Sequence, residues 1–124
     1  MKESLIYEKS LDFAERIVNL YKYMVEQKGE RIMSKQLLRC GTSIGANVSE
    51  ALAAESSADF IHKLSISQKE TNETKYWLTL LNRTDYLSEG QYESMLSDCE
   101  GLRKMIISII LTAKQNSKLK TQNS

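Results

Sequence analysis

The chain has no proline and only five glycines in 124 residues. These two residues are the usual interruptions of a helix and the usual builders of tight turns. An all-β sandwich or barrel needs a turn roughly every ten residues, and a chain this poor in turn formers cannot supply them. A few long helices joined by short loops remain, in a length that suits one compact domain.

Apolar spacing places those helices at about 5–28, 30–54, 57–82 and 88–115, with residues 116–124 a frayed polar tail. In the first, Ile6, Phe13, Ala14, Ile17, Leu20, Tyr21 and Met24 form one stripe of a 3.6-residue period. Gly29 follows where a left-handed cap belongs. In the second, Met33, Leu37, Cys40, Ile44, Val48 and Ala51 step by three and four. Gly41 and Gly45 lie on this helix at a cost of ~1 kcal/mol each relative to alanine, which implies close approach of a neighbouring helix. Ser56 with Asp59, and Ser88 with Gln91, have capping-box spacing and open the third and fourth helices. The third has apolar ends (Phe60, Leu64, Trp77, Leu78, Leu81) around a polar middle of Ser67, Glu70, Thr71, Glu73 and Thr74. The fourth carries Tyr92, Met95, Cys99, Leu102, Ile106, Ile109 and Ala113 in register. Four such helices pack as an antiparallel up-down-up-down bundle. The rod they make is long enough to leave apolar surface along its sides, which self-association commonly covers.

Several function classes drop out on composition. No apolar run reaches the ~18 residues of a membrane span, and Met1-Lys2-Glu3-Ser4 does not open a signal peptide. Cys40 and Cys99 form no metal-spaced pair, and lone cysteines suit a reducing, cytoplasmic setting. His62 is the one histidine, so a carboxylate-bridged di-metal site, which needs two Glu-x-x-His pairs, is missing its ligands. With no glycine-rich phosphate loop and both cysteines on apolar seams, the chain reads as a non-enzyme without cofactors.

Net charge is +1, yet its distribution is uneven. Residues 1–40 hold 8 basic and 6 acidic side chains, residues 41–100 hold 4 and 10, and residues 101–124 hold 5 and none. Arg103, Lys104, Lys114, Lys118 and Lys120 are therefore candidate polyanion contacts. The alternative is a solvated helix end whose cations complement the C-terminal dipole.

A second line runs beside the apolar seam of helix two: Gln36, Arg39, Ser43, Asn47 and Glu50, within an arc of ~80°. A half-buried line of this kind needs partners, and Glu70 and Glu73 on helix three are the available acids. Arg39 is expected to meet one of them through paired hydrogen bonds, fixing helix register. The network is read as structural, with a subunit interface or a ligand pocket as alternatives.

Ser34-Lys35-Gln36-Leu37-Leu38-Arg39 and Thr42-Ser43-Ile44-Gly45-Ala46-Asn47-Val48-Ser49-Glu50-Ala51 together resemble the hallmark segment of one bacterial family. That family comprises the four-helix bundle proteins encoded in intervening sequences of 23S ribosomal RNA genes, also described as ribosomal-protein-like. Asp59-Phe60-Ile61-His62-Lys63-Leu64-Ser65-Ile66-Ser67, with Glu70, Glu73, Tyr76 and Leu78, is similar to its third helix, and Tyr7-Glu8-Lys9-Ser10-Leu11-Asp12-Phe13-Ala14 to its first. The resemblance implies a homopentamer without established biochemical activity. A related branch, the accessory proteins of diversity-generating retroelements, binds nucleic acid and a reverse transcriptase; its members are strongly basic, and this chain is not. The expected role is thus a non-enzymatic oligomeric scaffold or binding module, with structured RNA or other nucleic acid as candidate partner. The alternatives are a protein-interaction module and a small-ligand- or metal-binding bundle at Arg39, Glu70 and Glu73.

Overall fold

The computed structural model describes the backbone of residues 2–123 and the side chains of residues 5–119. Within them the chain forms α1 (Lys2–Tyr23), α2 (Ile32–Leu52), α3 (Ser57–Arg83) and α4 (Glu89–Asn123), with no strand. Each helix runs antiparallel to its sequence neighbour. Ile17 lies against Gly41 and Ser10 against Gly45; Ser67 bonds to Ile44; Thr71 meets Cys99 and Thr79 meets Tyr92. The result is an up-down-up-down four-helix bundle.

Local chemistry sets the ends. After Tyr23 the helix widens into a π turn over Met24–Lys28, and Gly29 closes it at φ +64°, donating its N–H to the Met24 carbonyl. Ser56 accepts from the Asp59 N–H at 3.0 Å, and Ser88 and Gln91 cap one another reciprocally at 3.0 and 3.2 Å. The last helix differs from the sequence expectation: it continues through Asn123 where a frayed tail from residue 116 was expected. No glycine or proline follows Gly101, and alanine, lysine, glutamine and leucine sustain the helix.

The expected stripes supply the core: Ile6, Phe13 and Ile17 from α1, Met24 from the π turn, and Leu37, Cys40, Ile44, Val48 and Ala51 from α2, meet Leu64, Leu78 and Leu81 of α3 and Cys99, Leu102 and Ile106 of α4. The two α2 glycines admit α1 closely. A Cβ on Gly41 would stand 2.7–2.9 Å from Ile17 side-chain carbons, and one on Gly45 would stand 3.1 Å from the Ser10 hydroxyl. The polar middle of α3 divides in two. Ser67, Thr71 and Thr74 are fully buried, while Glu70 and Glu73 turn toward the outer edge of α2. The buried hydroxyls are satisfied: Thr71 bonds to the Gln68 carbonyl, Thr74 to the Glu70 carbonyl, and Ser67 crosses to Ile44 at 2.8 Å. Short side chains at these three positions let α2 and α3 lie close. The α1–α4 side is looser, with a cleft of about 340 Å³ over Phe13, Leu102 and Met105; Arg16 links the two helices, pairing with Asp98 at 2.6 Å and with the Ser94 hydroxyl at 3.0 Å.

Candidate functional site

The line Gln36, Arg39, Ser43, Asn47, Glu50 lies along the outer α2–α3 seam. Arg39 reaches both acids opposite, with one contact to each in place of the expected paired bonds to a single carboxylate: Nη2 pairs with Glu73, and Nη1 stands 3.6 Å from Glu70 Oε2. Lower on the seam, Lys63 pairs with Glu50 at 3.2 Å. Ser43 and Asn47 bond to carbonyls of their own helix, Ser43 to Arg39 at 2.6 Å and Asn47 to Ser43 at 2.9 Å. Gln36 is exposed.

The Arg39 side chain is 51% exposed and that of Glu70 20%. Glu70 Oε2 itself is covered and has no hydrogen bond. Burial therefore pushes the Glu70 carboxyl above the ordinary glutamate range, with Arg39 opposing and Glu73 reinforcing the shift. The guanidinium occupies the space between the two carboxylates where an added cation would have to sit. Among the described residues no group of three or more His, Cys, Asp or Glu side chains is arranged to hold a metal ion.

Both thiols are free and buried. Burial raises Cys40 to about 11 and Cys99 to about 12, which removes the thiolate that nucleophilic chemistry requires.

Of the basic candidates on α4, Arg103 lies 3.5 Å from Glu100, which Lys75 of α3 also approaches at 3.8 Å. Lys104, Lys114 and Lys118 are exposed. Lys120 lies outside the residues whose side chains are described. The register that puts Thr71 against Cys99 sets Ser57 opposite the turn around Ala113. The last ten or so residues of α4, about 15 Å at 1.5 Å per residue, thus run on past the start of α3.

Three features were not anticipated. Glu30, only 8% exposed, caps α2 by accepting from the backbone N–H groups of Ile32, Met33 and Ser34 at 3.0, 2.8 and 2.8 Å. Arg16 ties α1 to α4, as described above. The outer side of α1 carries a second apolar ridge, Tyr7, Leu11, Ala14 and Val18, beside a trough of Thr42, Gly45, Ala46 and Ser49 on α2. Leu11 is 44% and Tyr7 37% exposed. The ridge repeats the core stripe one residue ahead, and it takes Ala14, which the sequence spacing assigns to the core stripe itself.

The architecture and its surface define a class: an all-α four-helix bundle with a packed, inert interior, whose distinguishing chemistry lies on its outer faces. The particular family follows from comparison. The profile of the 23S rRNA-intervening sequence protein family matches residues 2–108, and the chain belongs to that family. A solved structure of a protein of unknown function from the S23 ribosomal protein family of Bacteroides thetaiotaomicron is 57% identical, with a TM-score of 0.88. The similarity covers 89% of this chain and 98% of that one. No curated protein is similar to the chain. No helix among the described residues is long and apolar enough to cross a membrane.

Proposed function

We propose that the protein is a non-enzymatic, cytoplasmic scaffold that assembles with copies of itself, as a pentamer on the family resemblance, and binds structured RNA or other nucleic acid. The observation that carries this reading is the outer α1–α2 face. A ridge of Tyr7, Leu11 and Val18 beside a trough of small residues forms a continuous apolar groove that the single chain leaves open. The nucleic-acid clause draws support from the second half of α4, which is free of acids and extends past its neighbours. The inert thiols support a non-enzymatic role. Light scattering tests the assembly: the wild type should run at several times 14.2 kDa, and Leu11→Lys should lower that mass while the circular dichroism stays helical. A wild-type mass of one chain refutes the reading.

A further inference from the structure

Every seventh residue along the outer side of α3 is a hydrogen-bond donor: His62, Lys69, Tyr76 and Arg83. Seven residues rise about 10.5 Å, so the four span about 31 Å on a line that drifts only ~20° per step. All four are exposed, Tyr76 at 59%. The positions flanking the line, each about 40–60° round the helix, are Ser65, Asn72 and Thr79 on one side and Ile66, Glu73 and Leu80 on the other. The nearest acids, Asp59 and Glu73, stand about 40–60° round the helix, and Glu73 is already held by Arg39. Lys63 and Lys75 of the same helix are engaged by Glu50 and Glu100, whereas Lys69 and Arg83 form no ion pair among the described residues. The Tyr76 ring stands edge-on against Trp77, centroids 5.0 Å apart, which fixes it while leaving it open to solvent.

We infer that this stripe is the contact line for single-stranded nucleic acid; the inference rests on the nucleic-acid reading above and gives it a surface on α3. Lys69 and Arg83 neutralise phosphates, His62 and Asn72 add donors to phosphate or sugar oxygens, and a base stacks on Tyr76. A base is free to stack there only when it is unpaired, which selects a single strand over a duplex. The stripe lies within the family-matched residues 2–108, whereas Lys114 and Lys118 lie beyond them.

The test is fluorescence anisotropy of the full chain with labelled oligo(U), oligo(dT) and an RNA duplex, each about 20 units long, at about 50 and 200 mM salt. Oligo(U) or oligo(dT) should bind at low salt. The double variant Lys69→Gln/Arg83→Gln should weaken that binding at least tenfold. It should also flatten the slope of log affinity against log salt by about 1.4, two phosphate contacts on a single strand. Tyr76→Ala should weaken binding about tenfold with the slope unchanged. Unaltered affinity in the Lys69/Arg83 variant, with loss in Lys114→Gln/Lys118→Gln, keeps the nucleic-acid reading and overturns the stripe. Tighter binding of the duplex, indifferent to Tyr76→Ala, overturns the single-strand assignment. No wild-type binding at low salt removes the nucleic-acid reading and this one together.

Discussion

Glu30 offers the sharpest test of how this bundle is built. The start of a helix leaves N–H groups without partners, and here one buried carboxylate takes three of them along with the Ser34 hydroxyl. Removing an ordinary cap costs about 1–2 kcal/mol. An orphaned buried donor adds to that, as does lost charge at the positive end of a helix, so Glu30→Ala should cost about 2–3 kcal/mol. Glu30→Gln keeps the shape and one acceptor and should cost about 1–2 kcal/mol. At about 4 °C per kcal/mol for a chain of this size, the melting temperature should fall by roughly 10 °C for alanine and 6 °C for glutamine. The pH dependence separates the charge from the shape. Burial alone would raise the Glu30 carboxyl, but the bonds from Ser34, Met33 and Ile32 outweigh it and hold the group below the ordinary 4.5. A depressed folded value stabilises above the unfolded one and is lost as pH falls through the folded one. The gap between wild type and Glu30→Gln should therefore be flat from pH 8 to 5 and narrow below about 4.5. Thermal melts by circular dichroism, at one fixed protein concentration because any assembly would also move the midpoint, read both. A gap under about 2 °C at pH 7, or one that persists unchanged well below pH 4, refutes the account.

Two glycines should respond in opposite directions to the same substitution. Gly41→Ala drives a methyl into the buried Ile17 side chain and should destabilise by about 1–3 kcal/mol. Gly101→Ala meets nothing within 4 Å and should stabilise by up to ~1 kcal/mol; urea melts showing the same sign for both would contradict the packing described. On the α2–α3 pair, Ser67→Val overfills a fully buried site and breaks the bond to Ile44, so it should cost more than Arg39→Met. The latter removes a half-exposed pair worth no more than ~1 kcal/mol; the reverse order by the same melts would show that the ion pairs set the register.

That comparison also marks where sequence reasoning reached and where it stopped. The apolar stripes, the Gly29 cap and the serine caps follow from spacing and residue type, because each depends on neighbours within a turn or two; the close approach at Gly41 and Gly45 is legible because a glycine inside a helix is costly unless another helix, here α1, needs the room. The hydroxyls of α3 were legible as polar but not as buried. Ser67, Thr71 and Thr74 sit on the same helical face as Leu64, Leu78 and Leu81. They can be buried because their hydroxyls bond to backbone carbonyls, those of Thr71 and Thr74 on their own helix and that of Ser67 across to α2, which composition alone does not reveal. Glu30 escaped because glutamate is not among the favoured cap residues, and its reach to three N–H groups depends on the turn around Gly29. Of the seam, the two acids facing Arg39 could be read from the sequence, but its sharing between them and its degree of exposure could not, since both depend on how far α3 stands from α2.

The same packing explains why the outer faces can differ. The glycines of α2 draw it against α1, and the Ser67 hydroxyl of α3 bonds to α2, so α1 and α3 are fixed on either side of α2 while α1 meets α4 loosely across the Arg16 bridge. In such a bundle α1 and α3 are diagonal, and their outer sides face opposite directions. Tyr7, Leu11 and Val18 therefore point away from Lys69, Tyr76 and Arg83. Copies joined through the α1–α2 groove would leave the α3 stripe open on each subunit. Assembly would then repeat the stripe instead of covering it, and the avidity of several linked contacts would supply strength that two cations and a tyrosine per chain lack alone.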